Sequence, residues 1–427
     1  MKFRHIFTLL PFIGLVFQGR IPEVIVPQEL AAYDNFGSAL AVSGEYLAVG
    51  APGVDLEGVR NAGAVFVFQG SGHNWKEIAR LTPEPDQEMS GFGTTLALDG
   101  ATLAVGARYE YNPGHGNGSG AVYIYRRNGA EWRLQTRLLA QDSQPFDLFG
   151  YALALKGDTL AVGARAADAQ NGRSDCGAVY IYQRSGEIWE LQDRLQPTSA
   201  TAFDHFGETL ALGEGELFAS APDHDAPQAA NSGLIYRYRL QGQSWVESDH
   251  LQAQNPHPAA HLGSSLSLDG DLLVALADLE LAHEDAYQDP MHNSVVILGA
   301  AYVFQRQGDQ WRWQARLTGE LGNPYSGHGG LVSLILDTQA DGGARLAIAG
   351  LGDNTSYFRY QLKGQEWQFL ETVTATGIDL FNQGQAIAMS GKTVLLGLRM
   401  FPLAGVPDAQ KYQVDGAGAI LPLDWPE

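Results

Sequence analysis

The chain predicts an all-β fold: a ring of seven four-stranded antiparallel blades, closed by its own N-terminal strand. Three observations predict it. The element Phe-Gly-x-x-Leu-Ala-Leu recurs at Phe36-Gly37, Phe92-Gly93, Phe149-Gly150 and Phe206-Gly207, spaced by 56, 57 and 57 residues. Between copies lie four β-patterned segments, and none holds a helical period. The last unit runs out one strand early, while residues ahead of the first unit fit the vacant place. A four-stranded sheet repeated radially about seven times is the sequence form of a β-propeller, in which neighbouring blades protect each sheet edge.

Three degenerate copies complete the count, at Leu262-Gly263, His328-Gly329 and Gln383-Gly384. Each is placed by the triplet after it: Leu266-Ser267-Leu268, Val332-Ser333-Leu334 and Ile387-Ala388-Met389. Units therefore start near 36, 92, 149, 206, 262, 328 and 383. The third unit shows all four strands. Phe149 to Leu155 alternates and meets a tight turn at Lys156-Gly157-Asp158. Thr159 to Ala164 is an apolar run of strand length, and Gly177 to Tyr182 is rich in β-branched and aromatic residues. Arg184-Ser185-Gly186-Glu187 turns the chain into Trp189 to Leu195, the fourth strand. The tryptophan recurs at Trp75, Trp132, Trp189, Trp245, Trp311 and Trp367. These tryptophans and the Phe of each Phe-Gly are expected to fill the space between adjacent sheets.

Closure follows from the ends. Unit seven has its third strand near Gly418 to Leu421 and no fourth. Ile25 stands 11 residues before Phe36, where Leu81, Leu138 and Leu195 stand before their own Phe-Gly positions, so residues 20–26 fit the missing strand. Residues 1–19 read as a secretory signal peptide: Lys2, Arg4 and His5 precede an apolar run from Ile6 to Phe17, too short to span a bilayer comfortably. Residues 20–427 then form a single propeller domain. The expected location is secreted, periplasmic or at the cell surface, with no membrane span after signal removal. The net charge of −21 speaks against nucleic acid and anionic membranes, which repel a polyanion. Cys176 is the only cysteine, so no internal disulfide forms; it occupies the slot of Ala62, Ser119 and Ser232.

With Phe-Gly opening the first strand, and Gly50-Ala51-Pro52 and Ser220-Ala221-Pro222 ending the second, the chain resembles the FG-GAP repeat family. The resemblance implies the seven-bladed propeller of integrin α subunits, also found in secreted bacterial proteins, and leans towards a binding role. It also implies calcium loops between the first two strands, but here those connections are tight turns such as Ser43-Gly44-Glu45 and Asp99-Gly100-Ala101. Calcium takes six to eight oxygens, which such turns do not supply. Only unit six has a longer hairpin, Asp337 to Arg345, where Asp337 and Asp341 fit but Gln339 and Arg345 replace expected acids. No cofactor is expected. Neither a nucleophile elbow, a zinc-protease helix nor a phosphate loop is present in the sequence.

Loops joining strands two and three share a face with the blade connections, and they are long and variable. That long-loop face is the expected binding surface. Its candidates are Tyr109, Tyr111, Asp168, Asp223, His224 and Asp225, with Glu284 and Tyr287 from an insertion in unit five. The insertion also offers His283, Asp285, Asp289 and His292 as metal ligands, beside Asp337 and Asp341 in unit six. His205, next to a Phe-Gly, is assigned to the turn. The expected function is an exported binding or adhesion propeller for a protein or glycan partner. An enzyme, hydrolase or lyase, is the alternative, favoured by carboxylates and a histidine converging at the central channel. A purely structural surface protein is the third reading.

Overall fold

The computed structural model describes residues 24–27, 29–84, 87–129, 131–169, 171–280, 299–318, 331–350, 356–374, 386–398 and 418–425. Every regular element among them is a β-strand, and the strands pair antiparallel in chain order within seven sheets. Blade three comprises Phe149–Lys156, Thr159–Ala164, Ala178–Ser185 and Ile188–Leu195, as the spacing predicts. Six blades have four strands. The seventh has three: Ile387–Ser390, Thr393–Leu398 and Ala419–Asp424.

First strands of neighbouring blades touch one another around the whole ring, including the seam between Ile387–Ser390 and Ala39–Ser43. The apolar cores lie between blades, because each sheet is apolar on both faces and buries them against its neighbours. Phe149, Tyr180 and Tyr182 of blade three thus pack with Val122 and Ile124 of blade two. The seam is filled the same way, with Ala388, Leu395 and Ile420 against Phe36, Leu47 and Phe66. Each Phe of the four intact Phe-Gly pairs is fully buried. It stands edge-on to the first aromatic of its own third strand, with ring centroids 5.2 to 5.5 Å apart. Trp189, Trp245 and Trp367 donate their Nε1–H to Gln135, Gln192 and Gln314 on the preceding blade's outer strand.

The two glycines of the repeat meet across this interface. A Cβ built on Gly50 would lie 1.9 Å from the carbonyl oxygen of Gly93, and the same clash stands between Gly163 and Gly207 at 2.1 Å. At the seam Gly397 faces Gly37 at 2.1 Å. The Phe-Gly glycines also hold φ near +90°, from +86° at Gly93 to +93° at Gly37. Any side chain is therefore excluded twice there, by conformation and by contact.

The N-terminal strand departs from expectation. Of residues 20–26 only 24–26 are described. They make one bridge, in which Ile25 and Ile420 exchange hydrogen bonds of 2.8 and 3.0 Å. Ile25 is buried in the seam core. This is a bridge at the expected place, not a ladder, so among the described residues the inner strands and the seam core carry the closure. The signal-like residues 1–19 and the starts of units six and seven lie outside the described residues.

Candidate functional site

The inner strands line an open cavity of about 470 Å³ on the axis, with residues of all seven blades, among them Leu40, Leu96, Leu153, Leu210, Leu266, Ser333 and Ile387. Pro52, Arg108, Tyr151 and Glu208 line its long-loop end. The repeat shows why the mouth is asymmetric. The residue after each Phe-Gly is Ser38, Thr94, Tyr151, Glu208 or Ser264. The residue after the alanine that ends each second strand is Pro52, Arg108, Arg165, Pro222 or Asp278, and the residue before each Phe is Asn35, Gly91, Leu148, His205 or His261. Small or neutral in blade one, these slots turn charged and aromatic in blades two to five.

There the departures meet. His205 Nδ1–H donates to Asp223 Oδ2 at 2.5 Å. His261 lies between two carboxylates, Nε2 at 3.4 Å from Asp223 and Nδ1 at 3.4 Å from Asp278. Arg165 Nε is 3.1 Å from Glu208, and its guanidinium donates to the Tyr151 hydroxyl at 3.0 Å. Arg108 and Arg165 stack on the Tyr151 ring, 4.7 and 5.0 Å from its centroid. All these groups are half-buried. Left-handed backbone aims the histidines, with φ +56° at His205 and +53° at His261. The backbone N–H groups of both are anchored by the preceding unit's loop, on the carbonyls of Asp175 and Asn231.

The electrostatics diverge within this small space. Burial pushes the Glu208 carboxyl up, against the pull of Arg165, and the charge of Asp223 adds to the rise. Burial opposes ionisation of Asp223 as well, but the His205 hydrogen bond and the charges of His205, His261 and Arg165 outweigh it and hold it low. His261 is raised by its hydrogen bond to Asp278, against burial, with Asp223 and Glu208 reinforcing it. Neighbouring carboxyls pushed apart in this way are suited to acid and base roles.

The candidates read from the sequence scatter. Asp223 sits in the cluster. His224, its neighbour, turns away to Asp204 at 3.0 Å, and Asp225 accepts the Asn231 N–H at 2.8 Å. Asp168 does for Asp175 what Asp225 does for Asn231, at 3.0 Å, and Asp55 repeats it in blade one at 2.7 Å. These are loop caps that recur by blade. Tyr109 and Tyr111 are each 49% exposed on the long-loop face, Tyr109 under Arg108. Between them Glu110 is fully buried, bound by Arg137 and the Tyr123 hydroxyl. Glu284, Tyr287, His283, Asp285, Asp289 and His292 lie outside the described residues. On the opposite face Asp337 accepts from Gln339 at 2.5 Å with Arg345 at 3.7 Å, while Asp341 accepts the Gly343 N–H at 3.0 Å. An arginine beside Asp337 and a turn role for Asp341 do not fit a calcium cage.

Sequence reasoning gave His205 only its turn role, and passed over Glu208, His261, Asp278, Arg165, Arg108 and Tyr151. Their signal lay in the register of the repeat, as departures at slots facing the axis. A second set was also missed. Tyr33, Met89, Phe146 and Phe203 occupy one slot in blade connections one to four, on left-handed backbone with φ from +56° to +70°. Their side chains are 63%, 63%, 63% and 56% exposed. In three of the four the backbone N–H is tied to the preceding unit's loop, Met89 to Arg60, Phe146 to Asn117 and Phe203 to Ser174.

Fold and mouth together define a seven-bladed β-propeller with an irregular polar centre on one face. The family described as FG-GAP repeat matches residues 23–68, 75–125 and 132–182, each stretch ending in the third strand of a blade. Blades one to three thus carry the FG-GAP repeat, and the later blades continue the same fold without a match to it. No curated protein matches the chain. No helix among the described residues is long and apolar enough to cross a membrane.

Proposed function

We propose that this is an exported binding propeller that holds a protein or glycan partner across its long-loop face, over the channel mouth. The observation that carries the reading is the row of Tyr33, Met89, Phe146 and Phe203, large side chains held out to solvent on left-handed backbone. That conformation costs a non-glycine residue about 1–2 kcal/mol, and such strain concentrates at functional sites. Tyr109 and Tyr111 add two more exposed rings to the same face. Aromatic rings present a flat apolar surface to sugar rings and to partner side chains, while the mouth offers charge and hydrogen bonds in their midst. The basic start and apolar run at residues 2–17 support export, and the resemblance to integrin α propellers supports an adhesive role.

One observation favours the enzyme reading on the same face. Glu208, Asp223 and Asp278 converge with His205 and His261 at the channel mouth, one carboxyl raised and one lowered. A hydrolase or lyase would use Glu208 as the acid and Asp223 with its histidines as the base.

A glycan array and a panel of extracellular-matrix proteins test the first reading. The wild type is expected to bind at least one member, and Phe146→Ser/Phe203→Ser to weaken that binding at least tenfold. Ile188→Ser, equally exposed on the opposite face at 64%, should bind as the wild type does. Undiminished binding by the double variant contradicts the reading. Turnover of a panel member, lost in Glu208→Gln, moves the assignment to the enzyme.

A further inference from the structure

We propose that the channel mouth is a binding site for a divalent transition-metal ion of the zinc class, held by His205, Glu208 and Asp223 with His261 as a fourth donor. One donor atom from each of the first three residues lies within 4.8 Å of the others. Donors on a tetrahedral zinc ion stand roughly 3–4 Å apart, so small side-chain rotations close the set. His261 Nε2, 3.4 Å from Asp223 Oδ1, borders the same space.

Two further observations point to a cation. Glu208 Oε2 and Asp278 Oδ1 are buried, and their charged neighbours, Arg165 Nε at 3.1 Å and His261 Nδ1 at 3.4 Å, make no well-aligned hydrogen bond to them. A buried carboxylate oxygen left that way calls for a water or an ion. His261 also has the arrangement expected of a ligating histidine, with one ring nitrogen towards the donor set and the other against the Asp278 carboxylate, which would fix its tautomer and raise its basicity. The charge is right as well. Arg165 is the one arginine paired with these three carboxylates among the described residues, leaving two negative charges for a divalent ion to cancel.

The donor chemistry selects the ion. Two imidazoles with carboxylates suit zinc, and a calcium site would want an all-oxygen set. The ion would replace the proton that His205 Nδ1 and Asp223 Oδ2 share at 2.5 Å, spreading the pair. Arg165, beside Glu208, opposes the cation and keeps affinity moderate. The inference is independent of the partner-binding reading, since metal binding is measured with no partner present.

The test is isothermal titration of the full chain, stripped with chelator, with zinc chloride alone at pH 7, read beside the melting temperature. The wild type is expected to take up one equivalent and to melt higher with zinc. His205→Ala, Glu208→Gln and His261→Ala should each weaken uptake at least tenfold and lose the zinc-dependent rise. His205→Asn, which installs the residue blade one carries at Asn35, serves if His205→Ala does not fold. His283→Ala/His292→Ala should bind zinc as the wild type does. No uptake by the wild type, equal uptake by the mouth variants, or loss in the His283/His292 variant each overturns the proposal.

Discussion

Gly163→Ala tests the physical reason for the repeat. Gly163 is the last residue but one of the second strand of blade three, and its φ lies outside the left-handed region, so alanine meets no conformational barrier. The obstacle is contact: the new Cβ would stand 2.1 Å from the Gly207 carbonyl oxygen and 3.2 Å from Ala152 Cβ. Relief requires blades three and four to part by more than an ångström, because the nearest atom is backbone. Overpacking of this kind costs about 1–3 kcal/mol, and an immovable neighbour puts it at the upper end. A smaller entropic gain of about 0.4–1 kcal/mol from the unfolded chain offsets part of it, leaving a loss of roughly 2–2.5 kcal/mol. Gly213→Ala is the control. Its one tight neighbour is the end of the Leu268 side chain at 3.2 Å, with the Glu216 carbonyl oxygen at an ordinary 3.8 Å, and it should stay within about 1 kcal/mol of the wild type. Urea unfolding followed by tryptophan fluorescence reads both. Equal midpoints for Gly163→Ala and the wild type, or an equal loss in Gly213→Ala, would refute the close-contact explanation.

Three other outcomes follow from the same structure. Arg137→Met strands the fully buried Glu110 carboxylate and should cost about 3–5 kcal/mol in the urea midpoint, most of it recovered when Glu110→Gln is added. Asp147, raised by burial to about 6, binds its proton more tightly folded than unfolded. Its contribution is complete below about pH 4 and is lost as pH rises through about 6, a swing of about 3 kcal/mol that Asp147→Asn should flatten in unfolding measured from pH 4 to 7. Deleting residues 20–26 should lower the unfolding midpoint by removing the Ile25 bridge and its place in the seam core, and an unchanged midpoint would show that the N-terminal segment takes no part in closure.

Blade number, strand order and the inward Phe were legible in the sequence because every blade solves the same packing problem. Gly50, Gly163 and Gly397 meet the next blade's Phe-Gly glycine in the same way, so the constraint is written into the chain several times. The mouth is written once. Asp223 reaches His205 across 18 positions and His261 across 38, and no linear motif records a convergence made by two inter-blade turns. Reading along the chain grouped Asp223, His224 and Asp225, whereas adjacent loop residues serve different ends: Asp223 faces the axis, His224 holds Asp204 and Asp225 caps its own loop. The exposed Phe146 and Phe203 were hidden for another reason. Their left-handed backbone comes from hydrogen bonds to the preceding unit's loop, which the residues themselves do not signal.

The packed slots of the repeat are scaffold, while the exposed row from Tyr33 to Phe203 and the departures at the mouth carry function. The most direct measurement sets His205→Asn, Glu208→Ser and His261→Asn together, restoring the blade-one residues Asn35 and Ser38 at those slots, and repeats the array and matrix-protein screen. Asparagine keeps the left-handed backbone at little cost. A folded propeller that has lost the wild-type ligand is the expected result. Binding as strong as the wild type's would contradict it and move the function to another part of the ring.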